Sequence, residues 1–241
     1  MANATFMPTP LPARYYLMPN MEPLNIVLQS RFQQVIRLLL YLSLGTHPDI
    51  AYTVTALACQ FANPSEDHFN NALYICCYLI RKWNYSINYD GHSGLRIMAC
   101  TDFDWGSDLT LHHSQTSYFF KIAGKLFSWS SHAQKSITLF STEAKYMALS
   151  DCSHQAIWIW TLLHKLGYKE QPIPFCGDNQ GSIFMASNPI MEEHTKHINI
   201  WYHFICNVVL DNKVQLYYIE GSENPADMFI KNLGYIKFSK F

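Results

Sequence analysis

Residues 140–167, FSTEAKYMALSDCSHQAIWIWTLLHKLG, constrain the fold more than any other stretch of the chain. Leu149, Cys152, Ala156, Ile159, Trp160 and Leu163 recur at three- and four-residue intervals and mark one apolar stripe of an α-helix. A second stripe, Glu143, Met147, Ser150, His154, Ile157 and Thr161, carries no charge at neutral pH except Glu143, if His154 is neutral. A long helix with two sparsely charged faces is packed on both sides. Ser141 or Thr142 is the candidate N-cap, Glu143 lies in the first turn where the helix dipole favours an anion, and Gly167 ends the run. Taken alone, Glu143 reads as an acid that complements the dipole.

The rest of the composition limits what this helix belongs to. A chain of 241 residues that is 49% hydrophobic has ample material for a core. The net charge of −1 provides no global attraction toward nucleic acid, so any such contact has to come from local patches. Seven cysteines, odd in number and without a C-x-x-C pair, suggest buried thiols in a reduced compartment, cytoplasmic or nuclear rather than secreted. No apolar run approaches the roughly 18 residues of a membrane span, and the N-terminus lacks a basic-then-apolar signal, so no membrane partner is expected.

Along the chain, residues 1–24 are proline-rich and aperiodic, an irregular lead-in. Residues 25–94 form a helical unit with helices expected over 29–44, 48–61 and 66–83. Pro48 suits a first helical position and Ser65 an N-cap, and Val35, Leu38, Leu39 and Leu42 should pack against Leu73, Cys77, Leu79 and Ile80. From residue 85 the texture turns to strands. YSINYD is followed by LRIMACTD, whose alternation puts Met98, Cys100 and Asp102 on one face, and SYFFKIAG with KLFSWSS reads as a hairpin turning near Gly124. After the long helix come the strand PIPFCGD, a helix through Phe184–Ala186, a helix over 197–212, the strand VQLYYIEG and a short last helix in NPADMFIKN. Asn224 caps that last helix, Pro225 is its first residue and Asp227 lies in its first turn. This order implies a mixed α/β sheet, with residues 95–241 expected to fold alone.

Four acids lie at element ends: Asp102 and Asp178 where strands run out, Glu143 and Asp227 where helices begin. In open α/β sheets those ends gather at one rim. Carboxylates gathered there repel one another unless cations neutralise them, and oxygen-only ligands suit Mg²⁺ or Mn²⁺. Two such ions about 3.5–4 Å apart are the usual device for in-line phosphodiester chemistry. Spacing alone makes a weak signal, since acids near strand ends are common.

The words around the acids are more specific. ACTDFDW, SWSSHAQKSITLFSTEAKYMALSD, CGDNQGSIFMASNP, TKHINIWYHFI and NPADMFIKNL, in that order, closely resemble the ribonuclease H region at the end of copia-type long-terminal-repeat retrotransposon polyproteins. SLGTHPDIAY and FANPSEDHFNNALYICCYLI are similar to the segment that joins the family's reverse transcriptase to that region, so the resemblance runs from about residue 8 onward. It implies a ribonuclease H-like five-stranded mixed sheet flanked by helices. Residues 25–94 would then be a helical remnant of the reverse transcriptase and residues 95–241 the ribonuclease H-like domain.

The implied activity is two-metal hydrolysis, with Mg²⁺ or Mn²⁺, of the RNA strand of an RNA–DNA hybrid. The implied partners are that hybrid and the parent polyprotein's reverse transcriptase if still attached. Residue by residue, Asp102 matches the family's first-strand aspartate, Glu143 the first glutamate of S-S-T-E-A-E-Y, Asp178 the aspartate of C-D-N-Q and Asp227 that of A-D-x-F-T-K. Asp104 of the D-x-D-W pattern ranks second to Asp102. Asn179 and Gln180, beside Asp178, are candidates for contact with backbone phosphate or a 2′-hydroxyl, with helix capping as the alternative.

The departures from the family pattern carry information too. His112 and His113 stand where the family has two arginines, Phe140 replaces a serine, Lys145 the second glutamate of the helix motif, Asn199 an aspartate and Trp201 an arginine. Charges are lost or reversed while the four acids survive, which suggests a degenerate copy. No Y-x-D-D motif is present, so polymerisation is not expected. His194, His197 and His203 lack a cysteine pair and do not read as a zinc site, and Trp158, Trp160, Trp201, Tyr202 and Phe204 read as packing rather than a base-stacking platform. Beside the nuclease stand two other readings: a non-catalytic nucleic-acid-binding module, and an inert relic.

Overall fold

Three capped helices open the structure. In the computed structural model the described residues are 7–13, 15, 17–89, 94, 96–104, 114–134, 140–168, 171–188 and 200–240, with the side chains of Asp104, Ile200 and Trp201 excepted. Helix α1 (Ile26–Gly45) starts where the Asn25 side chain accepts from the N–H groups of Val27 and Leu28. A 3₁₀ turn, Pro48–Ile50, feeds α2 (Ala51–Ala58), and α3 (Glu66–Arg81) starts at Ser65 as expected. The cap on α3 is reciprocal: Ser65 Oγ accepts from the His68 N–H at 3.2 Å, and His68 Nδ1 accepts from the Ser65 N–H at 3.0 Å. With Nδ1 accepting, the ring proton is on Nε2, which donates to the Met18 carbonyl at 2.9 Å.

Phe32, Ile36 and Leu39 of α1, Val54 and Leu57 of α2, and Ala72, Ile75 and Tyr78 of α3 form the buried helical core. Of the expected inner face, Leu39 is buried and Val35, Leu42 and Leu79 pack against this core, whereas Leu38 is 68% exposed and Leu73 and Ile80 are also exposed. The dense leucine run of α1 fits several registers, and Phe32 and Ser43, both buried, are the residues that choose among them. The lead-in is irregular over residues 7–24 but it is not peripheral. Leu11 is 1% exposed, the Tyr15 hydroxyl donates to Asp67, and Asn63 donates to the carbonyls of Asn20 and Glu22. It straps the helices.

The sheet has five strands in the order β3-β2-β1-β4-β5: β1 (Ile97–Asp104), β2 (Gln115–Ile122), β3 (Lys125–Ala133), β4 (Ile173–Gly177) and β5 (Val214–Tyr218). The first three run antiparallel, and β4 and β5 join parallel to β1, which gives the mixed sheet that the resemblance implied. The β2–β3 turn has Ala123 and Gly124 both at positive φ (52° and 75°), the two-residue connection that follows the right-handed twist of the strands. YSINYD is not a strand: residues 85–89 join no ladder, and the Tyr89 hydroxyl instead donates to the Leu126 carbonyl.

Helix α4 (Ser141–Lys165) lies on one sheet face, with Leu149, Cys152, Ala156 and Ile159 in one cluster with Ala99, Phe120 and Phe175. Its second stripe is covered as well. Met147 and Ser150 are buried, and His154 stacks on Phe204 of α6 (Phe204–Leu210) at 4.5 Å between ring centres. Helix α5 (Gln180–Ser187) contributes Ala186 to the same cluster. The expected helix over 197–212 is shorter, because a 3₁₀ turn, Ile200–His203, precedes α6, and residues 197–199 lie outside the described residues. Of the aromatic cluster, Tyr202, Phe204 and Trp160 pack on this core while Trp158 is exposed.

The other sheet face is covered too. Cys100 and Phe119 pack with Ala51 of α2, Ala226 and Phe229, the Trp129 indole donates to the Ser43 carbonyl at 2.7 Å, and Thr55 donates to the Ser131 carbonyl at 3.3 Å. The last helix, α7 (Tyr235–Lys240), brings Phe238 against Tyr78 of α3. Among the described residues no helix is long and apolar enough to cross a membrane.

Two predictions follow from this packing. Residues 95–241 made alone would expose Cys100, Phe119 and Phe229, so that fragment is expected to melt well below the full chain and to bind a hydrophobic dye. Equal melting temperatures would show that the helical cover contributes nothing. The second concerns His68, whose pKa is lowered, first by burial. The unfolded chain therefore takes up this proton before the folded one does, so the stability held in the capping box is complete above pH about 6.5 and declines as pH falls below it. His68→Gln keeps a capping-box side chain and removes the titration, so urea midpoints measured from pH 7.5 to 5 should fall more steeply for the wild type than for the variant.

Candidate active site

Strand pairing brings the first two acids together. Cys100 of β1 lies beside Cys176 of β4 in parallel register, and two residues further on the same offset sets Asp102 beside Asp178. The Cys100 thiol is hydrogen-bonded to Cys176, which lowers Cys176 to about 7. Asp102 shares the face of Cys100, as the alternation predicted, and there it meets the 3₁₀ turn Pro225–Phe229 that carries Asp227. That turn is fixed by Asn224, which is fully buried. Its oxygen accepts from the Ala226 N–H at 3.1 Å, its amide nitrogen donates to the Thr101 carbonyl at 2.9 Å, and Ser117 donates to the Ala226 carbonyl at 3.1 Å. The predicted N-cap is thus also the tie between the turn and β1.

Asp102 and Asp227 are almost fully buried, at 4% and 3% exposure, and are hydrogen-bonded to each other. Burial pushes Asp102 up to about 7 against the pull of Lys145, with Asp178 and the bond to Asp227 adding to the rise. Burial also acts to raise Asp227, but the hydrogen bonds from Asp102, Lys231 and Lys237 outweigh it and hold Asp227 below the usual range. Of the two, Asp102 therefore takes up a proton first as pH falls. The Phe103 N–H donates to Asp102 Oδ1 at 2.8 Å.

Positive charge holds this group together. Lys145, one turn into α4, places its ammonium 3.3 Å from Asp102 Oδ1 and in closer contact with Asp178 Oδ1. Lys231 and Lys237 take one oxygen each of Asp227. For Lys145 burial works against the charge, yet Asp102 and Asp178 prevail and its pKa is raised. Sequence reasoning had noted Lys145 only as a departure and had passed over Lys231 and Lys237. Lys231, four residues after Asp227, was a readable signal of an ion pair. Gly221 was missed as well: a Cβ there would come within 3.2 Å of Asp178 Oδ2, so any other residue would push the carboxylate aside by a few tenths of an ångström.

Glu143 is buried in the first turn of α4, at the end of the helix that delivers Lys145. The expected caps, Ser141 and Thr142, do not serve. Phe140 occupies the N-cap position without a side-chain acceptor, and its carbonyl takes the N–H groups of Glu143 and Ala144. Asn179 caps α5, its oxygen accepting from the Ser182 N–H at 2.7 Å, while Gln180 is exposed at the first helical position. His203 meets the Tyr146 hydroxyl through Nδ1. His112, His113, His194 and His197 lie outside the described residues, as does the side chain of Asp104.

The donors fit a hard divalent cation, being oxygen, largely buried and drawn from separate elements. The space among them is another matter. The cleft lined by Asp102, Lys145, Asp178 and Ser182 holds about 10 Å³, room for about one water. Among the described residues no three His, Cys, Asp or Glu side chains are grouped so as to hold an ion. The Lys145 ammonium occupies the position between Asp102 and Asp178.

Because Asn224 both caps the turn and ties it to β1, Asn224→Ala removes two buried hydrogen bonds. The expected cost is about 2–3 kcal/mol. The chemical-denaturation midpoint measures it, and a loss below about 0.5 kcal/mol would remove Asn224 from this role.

No protein-family model matches the chain. It is 30% identical over 244 residues to the retrovirus-related Pol polyprotein from transposon TNT 1-94 of Nicotiana tabacum, an alignment that covers 99% of this chain and 18% of that protein. It is also 30% identical over 214 residues to the Pol polyprotein from transposon RE2 of Arabidopsis thaliana, covering 88% of this chain and 15% of the relative. Among solved structures, the N-terminal RNase H domain of a Mycobacterium tuberculosis protein, fused to maltose-binding protein, aligns with a TM-score of 0.33 at 12% identity over 57% of this chain and 91% of that one. The foamy viral protease-reverse transcriptase in complex with double-stranded DNA aligns with a TM-score of 0.45 at 13% identity, over 86% of this chain and 45% of that one. Over nearly all of its length, then, the chain is similar to the Pol polyproteins of copia-type plant transposons, and it spans less than one fifth of the length of these two relatives.

Proposed function

We propose that the chain is a ribonuclease H-type hydrolase that cuts the RNA strand of an RNA–DNA hybrid, with Mg²⁺ or Mn²⁺ as cofactor. One observation carries the reading: Asp102, Asp178 and Asp227, from two strand ends and a helical turn, converge at one rim, with Glu143 buried at the start of the helix that reaches it. These four acids would hold the cations. When bound, two such ions activate water and stabilise the leaving oxygen of a phosphodiester. The chain's own contribution is to fix the carboxylates and to keep bulk water from them, so that charge placed there acts in a poorly screened setting. Asn179 and Gln180, at the start of α5 beside Asp178, are the residues we assign to backbone phosphate or the 2′-hydroxyl, along with His112 and His113, which lie outside the described residues.

A second reading, a fold that binds hybrid without cutting it, is favoured by the three lysines that already neutralise the acids. It suits a degenerate copy, in which the acids persist after the loop arginines are lost.

Cleavage of a labelled hybrid by the purified chain, with and without Mn²⁺, separates the two. The hydrolase reading expects cutting of the RNA strand only with metal. It also expects Asp102→Asn to lower the rate by at least about 100-fold, the order lost when one stabiliser of transition-state charge is removed. The asparagine amide can still donate to Asp227, so the melting temperature should change little. Hybrid binding without cleavage at any metal concentration would favour the binding module.

A further inference from the structure

Lys145 is the most deeply buried cation of the acidic site. Its side chain is 17% exposed, against 46% for Lys231 and 34% for Lys237. It bridges carboxylates at the ends of two different strands, whereas Lys231 and Lys237 both pair with Asp227. Its anchorage is rigid: Ala144, Ala148 and Leu149, next to it and one turn on, are all buried in the core beneath α4. Only the four-carbon stem is free to move, and the cleft it fills has room for about one water.

We infer that Lys145 is a built-in counter-ion of the Asp102–Asp178 pair that competes with divalent cations for the same place, so that metal binds this chain only by displacing the ammonium. The inference rests on the proposed function in so far as it takes the same acids to be the metal's ligands. A divalent cation and an ammonium within a few ångströms of each other repel strongly in a poorly hydrated cleft, and both cannot lie between the same two carboxylates. The lysine therefore sets the metal concentration at which the site fills. Lys231 and Lys237 do not have this effect, because their exposed stems let them swing into solvent.

Calorimetric titration of the metal-free full-length chain with Mn²⁺ tests this in the wild type, Lys145→Met and Lys145→Arg. Methionine keeps much of the stem and removes the charge, so affinity is expected to rise about tenfold or more, whereas arginine keeps the charge and should leave affinity near that of the wild type. Without metal, Lys145→Met leaves the Asp102–Asp178 pair without its counter-ion and should melt below the wild type, with Mn²⁺ restoring more of its melting temperature than it adds to the wild type. If that variant does not fold without metal, refolding yield with and without Mn²⁺ replaces the titration. Rescue supports the inference, and equal failure in both overturns it. Equal Mn²⁺ affinities in wild type and Lys145→Met also overturn it, and leave the hydrolase reading standing if the wild type still cuts hybrid. Tighter Mn²⁺ binding by Lys145→Met without any cleavage supports the counter-ion role and counts only against the hydrolase.

Discussion

Carboxylates cannot be held in contact inside a protein unless a proton or a cation is held there with them. The arrangement around Asp102 uses both. Asp102 and Asp227 share a hydrogen bond, which needs one proton between them, and ammonium groups from α4 and from the segment after Asp227 pair with the acids. Much of the architecture serves to hold these charges in place. The parallel pairing of β1 and β4 aligns two acids, Asn224 pins the turn that brings the third, and α4, buried along both stripes, is a fixed post from which Lys145 reaches across. A shift of any one of these elements would leave a buried charge without its partner.

The sequence made the scaffold legible where one residue type has one good place to go. The two stripes of α4, the face shared by Cys100 and Asp102, the turn at Gly124, and the caps Ser65 and Asn224 all appear as expected, because periodicity and capping chemistry are local. The acids at element ends were legible for the same reason. What failed depended on partners distant in sequence. Residues 85–89 have strand texture but join no ladder, and on the leucine-rich α1 Leu38 faces out although Val35, Leu39 and Leu42 face the core as expected. The proline-rich lead-in hid its anchor, since Leu11 is buried but carries no periodic context, and Tyr15 and Asn20 are held by partners far along the chain, Asp67 and Asn63.

Lys145 shows the limit most clearly. Its sequence context marked it as a charge reversed at the surface of a helix, and nothing local tells that its stem crosses to both strands. His68 is a smaller case. An S-x-x-H sequence is not the usual capping box, yet an imidazole of the right tautomer performs the glutamate's part and uses its second nitrogen to hold the lead-in. In both places the residue type departs from the common pattern and the geometry of the common pattern is kept.

The contact between Phe238 and Tyr78 bears on how the chain assembles during synthesis. Tyr78 belongs to the three-helix core, which leaves the ribosome early, but the ring that packs on it belongs to α7, as does Lys237, one of the two ammonium groups on Asp227. Neither the early core nor the late site is complete until that short helix emerges. Translation that stopped ahead of α7 would leave Tyr78 without the Phe238 ring and Asp227 without Lys237, so one six-residue helix completes both.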